Sequence, residues 1–254
     1  MLPVDVLLPA LPPSVPRQGH SAWLRALGRG VMRVLGWRFV GGFADVPRQV
    51  IIGAPHTSNL DGLVGLAAAA ACDIGVQVFA KRQLFWGPLG VALRAFGGVP
   101  VDRDAPVGLV EHAAAALRPG RAGIVAITPE GTRSAVPRWK TGFHRIALAA
   151  DVPIAIVAID WGRKEIGVTG TLLPTGDLDA DLAAIGHLLD GVQGRHPDRA
   201  TLPLQVYRLM GSYQMDAAAG AALAIGLGTA HAASPELKAY PSTAVEGLPY
   251  SGAV

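Results

Sequence analysis

The sequence has few of the groups that make covalent, redox or metal chemistry easy. Its 254 residues include one cysteine, Cys72. No internal disulfide can form, so a reducing compartment or indifference to redox state is expected. Cys72 sits in an Ala-rich run without a basic neighbour, which predicts a small buried side chain, not a reactive thiol. There is no G-x-S-x-G elbow to present a serine nucleophile. The absence of a P-loop and of G-x-G-x-x-G argues against a nucleotide cofactor. No two histidines pair with cysteine or carboxylates at metal-ligand spacing, so neither metal nor other cofactor is expected. A formal charge of only +3, with pI near 9.3, is too weak a bias to indicate nucleic acid. Long apolar runs are missing too. Half the residues are hydrophobic and the mean hydropathy is +0.36, yet no stretch of about 18 strongly apolar residues occurs, so a spanning helix is not indicated. An oily chain without a span suggests a protein resting on a bilayer, or a large buried sheet. The opening "MLPVDVLLPALPPSVPR" lacks the basic start of a secretory leader and is broken by prolines.

One further absence is local. No acidic residue lies between Asp5 and Asp45, where Arg17, Arg25, Arg29, Arg33 and Arg38 occur. At about 100° per residue, Arg25, Arg29 and Arg33 share one narrow helix face. Trp23, Leu24, Leu27, Val31, Val34 and Leu35 fall opposite. A basic amphipathic helix with Trp23 and Trp37 at its ends is the pattern of a helix lying in a membrane interface; the plainer alternative is a helix packed on the domain with a solvated basic face.

From Gln49 to Asp160, β-branched runs alternate with helical stretches. The runs are "VIIGA" (50–54), "VQVFA" (76–80), "VPV" (99–101), "GIVAIT" (123–128) and "PIAIVAI" (153–159). Between them lie "LDGLVGLAAAAA", "GPLGVALRAF", "PVGLVEHAAAAL" and "GFHRIALAA", and a last helix is expected over 178–192. This predicts a single α/β domain with a central, largely parallel sheet flanked by helices. The expected divisions are an N-terminal segment with the amphipathic helix (1–45), the α/β domain (46–203), and an Ala/Gly-rich, loosely ordered tail (204–254).

In open parallel sheets, ligands bind beyond the carboxyl ends of the strands. The first four runs are succeeded by His56; by Lys81 and Arg82; by Asp102 and Arg103; and by "PEGTRS" with Glu130, Gly131, Thr132 and Arg133. Arginines grip phosphate through two nitrogens, lysine adds a point charge, and Gly131 lets backbone approach a ligand. In "HTSNLD", two readings of His56 and Asp61 stand side by side. Ser58 and Asp61 form a capping-box pattern, in which case His56 merely ends a strand. Alternatively Asp61 accepts a hydrogen bond from one ring nitrogen of His56, and the other becomes a base toward a substrate hydroxyl. The other histidines, His20, His112, His144, His187, His196 and His231, lack comparable sequence surroundings.

Taken together, "HTSNLD", "GGVPVDR" (97–103), "PEGTRS" (129–134), "WKTGF" (139–143) and "VPIAIV" (152–157) resemble, in order, the motif blocks of the glycerolipid acyltransferases, which include 1-acylglycerol-3-phosphate acyltransferases. Pro55, where many members have Asn, and the variant Thr57 and Asn59 are departures. The resemblance implies acyl transfer from acyl-CoA or acyl carrier protein to a lysolipid hydroxyl. His56 would be the general base, Asp61 its orienting partner, and no acyl-enzyme would form. Arg103 and the Glu130–Arg133 loop would hold a phosphate, with help from Lys81. The implied partners are the acyl donor, a phosphorylated lysolipid and a membrane surface, and the implied location is peripheral on the cytoplasmic face. Alternatives are another lysolipid acceptor, a silent membrane-binding scaffold, and a hydrolase using Thr57 or Ser58.

Overall fold

The alternation of apolar runs resolves into one sheet. The structure, a computed structural model, describes residues 10–101, 110, 113–120, 123–201 and 239–240. Its strands are β1 (Arg38–Val40), β2 (Arg48–Ala54), β3 (Gln77–Lys81), β4 (Gly98–Val101), β5 (Gly123–Ile127), β6 (Ile154–Asp160) and β7 (Glu165–Leu172), with a two-residue β8 (Ala239–Tyr240) beside β7. The lateral order is β1-β7-β6-β2-β5-β3-β4. β2 to β6 are mutually parallel, whereas β7 runs antiparallel to β6 and β1 lies parallel to β7. All five expected runs are strands of the expected largely parallel sheet. β1 and β7 are additions to it. The Gly- and Thr-containing "EIGVTGTL" carries a weaker pattern than its neighbours and pairs because a tight turn folds it back onto β6.

The helices are α1 (Ala22–Val34), α2 (Asn59–Cys72), α3 (Gly87–Ala95), α4 (Gly142–Ala150) and α5 (Leu178–Leu188). Residues 113–116 are also helical. α5 stops at Leu188, short of the expected 192, where the chain turns. Alternate residues of each central strand feed two separate cores, as the period of two requires. Ile51, Ile124 and Ala155 pack with Met32, Val64 and Ala67 of α1 and α2. Val50, Ile52 and Ile156 pack on the other face with Phe143 and Ile146 of α4 and Ile185 of α5. Most of the 204–254 stretch, expected as a loose tail, lies outside the described residues.

α1 differs from the two-faced helix expected. It crosses α2 so closely that a Cβ on Gly28 would meet the Ala67 carbonyl oxygen at 2.7 Å. Gly28 and Met32 face the core, which splits the apolar side. Trp23, Leu27 and Val34 form a separate outward stripe and are exposed, Trp23 by 68% and Val34 by 85%. Arg25 is engaged by Asp73 at 3.6 Å. Among the described residues, no helix is long and apolar enough to cross a membrane.

Candidate active site

β2 lies between β5 and β6, all three parallel, so their carboxyl ends emerge side by side. Three side chains come together along that edge: His56 after β2, Glu130 after β5 and Trp161 after β6. This is the crevice position where open parallel sheets bind ligands.

In "HTSNLD" the expected cap forms, and the same aspartate stands beside His56. Ser58 caps α2, its Oγ accepting the Leu60 N–H at 2.9 Å, and Asp61 completes the capping box. Asp61 Oδ2 accepts the Thr57 and Ser58 main-chain N–H groups at 2.7 and 2.8 Å. The same Oδ2 lies 3.3 Å from His56 Nδ1. That nitrogen is off the line of a well-formed hydrogen bond and has no other partner among the described residues. The cap thus aims the carboxylate at the imidazole: a local helix-start motif places Asp61 beside His56. Burial alone would raise the Asp61 pKa, but the adjacent His56 imidazole and the hydrogen bonds from the Ser58 N–H, the Trp161 indole and the Thr57 N–H outweigh it and hold the carboxyl below its usual range.

Glu130 approaches from the other side. It is buried, and its Oε1 accepts the main-chain N–H of His56 at 2.9 Å. Its Oε2 is buried without a hydrogen-bond partner among the described residues. Burial pushes its pKa up to about 7, an effect only partly offset by hydrogen bonds from the His56 and Glu130 main-chain N–H groups. Gly131 turns the chain here with φ of +65°, and its N–H closes onto Thr128 O at 3.0 Å. A Cβ on Gly131 would stand 3.0 Å from Cδ, Cε and Nζ of Lys140, so the lysine of "WKTGF" lies across this turn. Thr132 and Arg133 come next and are exposed. Lys81 ends β3 on the same sheet edge. Arg103 lies outside the described residues.

A raised carboxyl pKa has a definite stability signature. The folded-state value of about 7 exceeds the ordinary 4.5, so the native protein holds a proton that the unfolded chain has released. The contribution is fully present below pH 4.5 and lost as pH rises to about 7, amounting to about 3 kcal/mol. Glu130→Gln keeps an acceptor for the His56 N–H and removes the titration. Its stability relative to the unaltered protein should therefore rise between those pH values, as denaturant melts at several pH would show. A constant difference across that window would refute the assignment.

The protein offers three histidine–aspartate pairs among the described residues, where the sequence suggested one. His144 Nε2 is 2.7 Å from Asp181 Oδ2, and His20 Nδ1 is 3.4 Å from Asp73 Oδ1. Exposure separates them: the His144 and His20 side chains are 5% accessible, that of His56 18%. His144–Asp181 ties α4 to α5, with Thr175 donating both its N–H and hydroxyl to the carboxylate. It is a closed strut without room for a substrate.

The hydroxyls next to His56 in the chain are not free to act as nucleophiles. Thr57 is buried and its Oγ1 accepts the His196 N–H at 3.2 Å. Ser58 is buried and occupied in capping. Cys72 is buried as expected, its thiol pushed up to about 12 by desolvation.

Sequence reasoning missed Trp161. Its indole N–H donates to Asp61 Oδ1 at 2.7 Å. The rule that found His56 and Glu130, applied to the end of "PIAIVAI", points to Asp160 and Trp161.

Residues 39–160 match the acyltransferase family model. No curated protein matches significantly. A solved structure with a similar chain is the 1-acyl-sn-glycerophosphate acyltransferase PlsC of Thermotoga maritima, 19% identical with a TM-score of 0.44, over 76% of this chain and 80% of that one. The matched span runs from β1 to the end of β6 and contains His56, Asp61 and Glu130. Residues 39–160 thus carry an acyltransferase domain.

Proposed function

We propose that the chain transfers a fatty acyl group from acyl-CoA or acyl carrier protein to the free hydroxyl of 1-acylglycerol-3-phosphate, giving phosphatidate. The observation that carries this reading is an accessible imidazole beside the buried Asp61, its main chain held by the buried Glu130, while the adjacent Thr57 and Ser58 are themselves buried. Such a site suits direct attack. His56 Nε2 takes the hydroxyl proton as the oxygen adds to the thioester carbonyl, and Asp61 stabilises the imidazolium. The C–S bond then breaks, and the proton passes from His56 to the departing thiolate. Arg133 and Lys140, beside the Gly131 turn, supply cations for the acceptor phosphate, joined by Lys81 and Arg103. Phosphate capture away from the reacting carbonyl is catalysis by positioning. The buried Glu130 serves a different end, fixing the main chain of His56.

We place the enzyme peripherally on the cytoplasmic face of a membrane. The outward stripe of α1 supports this, as do Trp86, 82% exposed, and Val91 on α3. The start of α1 meets the end of α3, where His20 stacks near Phe96 at 5.6 Å. An apolar ridge flanked by Arg29 and Arg33 is suited to an anionic lipid interface.

The test is thiol release from palmitoyl-CoA with lysophosphatidate in mixed micelles, with lipid products resolved. Acceptor-dependent release with phosphatidate formed is expected. Release without acceptor indicates a hydrolase and sinks the reading. Transfer only to lysolipids that lack phosphate would move the assignment to another acceptor.

A further inference from the structure

The side chain best placed to control the pair, and not part of it, is Trp161. We infer that Trp161 is a positioning residue for acyl transfer, acting through Asp61 by holding the carboxylate oxygen that does not face His56. The inference rests on the proposed chemistry at His56.

Asp61 is almost wholly buried, and its two oxygens are assigned separately. Oδ2 serves the Thr57 and Ser58 N–H groups and lies against His56 Nδ1, while Oδ1 takes the indole N–H of Trp161 at 2.7 Å. Cap donors on Oδ2 fix one oxygen only. Without the indole, Oδ1 is a buried charged acceptor that has lost its donor, and the carboxylate plane is free to swing about the Cβ–Cγ bond. A donor to an ionised acceptor is worth roughly twice a neutral one, so the indole bond has the strength to set that plane.

Trp161 is itself held on every side. Its main-chain N–H donates to Gln193 O at 2.8 Å. Trp37 meets its ring edge-on at 5.0 Å. The Lys164 ammonium lies 4.4 Å from the ring centroid and the Arg195 guanidinium 5.1 Å. Cations over an indole ring draw electron density from it and make its N–H a stronger donor. Asp160 anchors the turn beneath, accepting the Gly162 and Arg163 N–H groups and pairing with the Arg163 guanidinium. The segment after Gln193 also braces the histidine loop: a Cβ on Gly194 would meet Thr57 Cγ2 at 2.8 Å. Around the pair, then, the titratable and charged neighbours are Glu130 under His56, and Lys164 and Arg195 over Trp161.

Trp161→Phe keeps a flat ring for these neighbours, loosens the packing and removes the donor. Expected is a loss in kcat of about 10- to 100-fold with KM for both substrates unchanged. A carboxylate that loses a donor binds a proton more tightly, so the acid limb of kcat should move to higher pH. Trp37→Phe loosens the same packing but leaves the donor, and its acid limb should stay in place. An unchanged kcat in Trp161→Phe, or a loss with the limb unmoved, overturns the inference. A readout that needs neither turnover nor the variant's folding is the indole N–H resonance of Trp161 in the unaltered protein. It should shift as acid protonates Asp61, below the ordinary carboxylate range. An indole indifferent to acid refutes the role; absent acyl transfer with a responsive indole would sink the proposed function instead.

Discussion

His56→Ala should lower kcat for acyl transfer by about two to four orders of magnitude, the usual worth of a positioned general base. The fold should survive. The imidazole is partly exposed, and its contact to Asp61 falls short of a good hydrogen bond. The main-chain N–H that anchors this loop to Glu130 remains in the alanine variant. On the proposed reading, KM for the lysolipid should change little, since cations elsewhere would hold its phosphate. Single-turnover acyl transfer with saturating substrates, alongside a thermal melt, separates the cases. A folded His56→Ala protein with near-normal kcat would remove His56 from the chemistry. It would also leave no accessible base among the three histidine–aspartate pairs, because the other two are closed.

Asp61→Ala is expected to be costly for stability as well as for activity. It strips the acceptor from three donors at once: the Thr57 and Ser58 N–H groups and the Trp161 indole. Each buried donor left unpaired costs about 1–3 kcal/mol, and the lost cap contributes as well, so a total of at least about 3 kcal/mol is expected. Asp61→Asn keeps one oxygen, which can serve the cap or the indole but not both, and should cost about half as much. The pH dependence has the opposite sign to that of Glu130. The Asp61 carboxyl is held below its ordinary range, so its contribution is present above that range and lost as pH falls through the depressed value. The gap between Asp61→Asn and the unaltered protein should therefore close in acid, as urea melts would reveal. A gap that persists at low pH would mean that the site does not favour a charged Asp61. Both variants should lose transfer activity to nearly the extent of His56→Ala, because the two residues act as one unit.

Much of this protein could be read from its sequence, and the boundary is physical. The five β-branched runs indicate a largely parallel sheet because burial on both faces leaves an apolar run of strand length. The same local logic marks His56 and Glu130 as residues at strand ends, Ser58 and Asp61 as a helix start, and Cys72 as inert. Each of these is a short-range fact, settled by periodicity or by neighbours within a turn of chain.

Tertiary structure decided the rest. Trp161 and Asp61 are 100 positions apart, and Glu130 and His56 are 74 apart. They meet because β6 and β5 flank β2, a lateral order that no local pattern encodes. Which histidine–aspartate pair is open to substrate is likewise a matter of what packs over each. On α1 the sequence showed a basic and an apolar side, but only the crossing at Gly28 divides the apolar side into a stripe that is buried and one that is exposed. Periodicity gives a residue its face. The partners that face finds depend on strand order and helix approach, which are settled by packing across the whole domain.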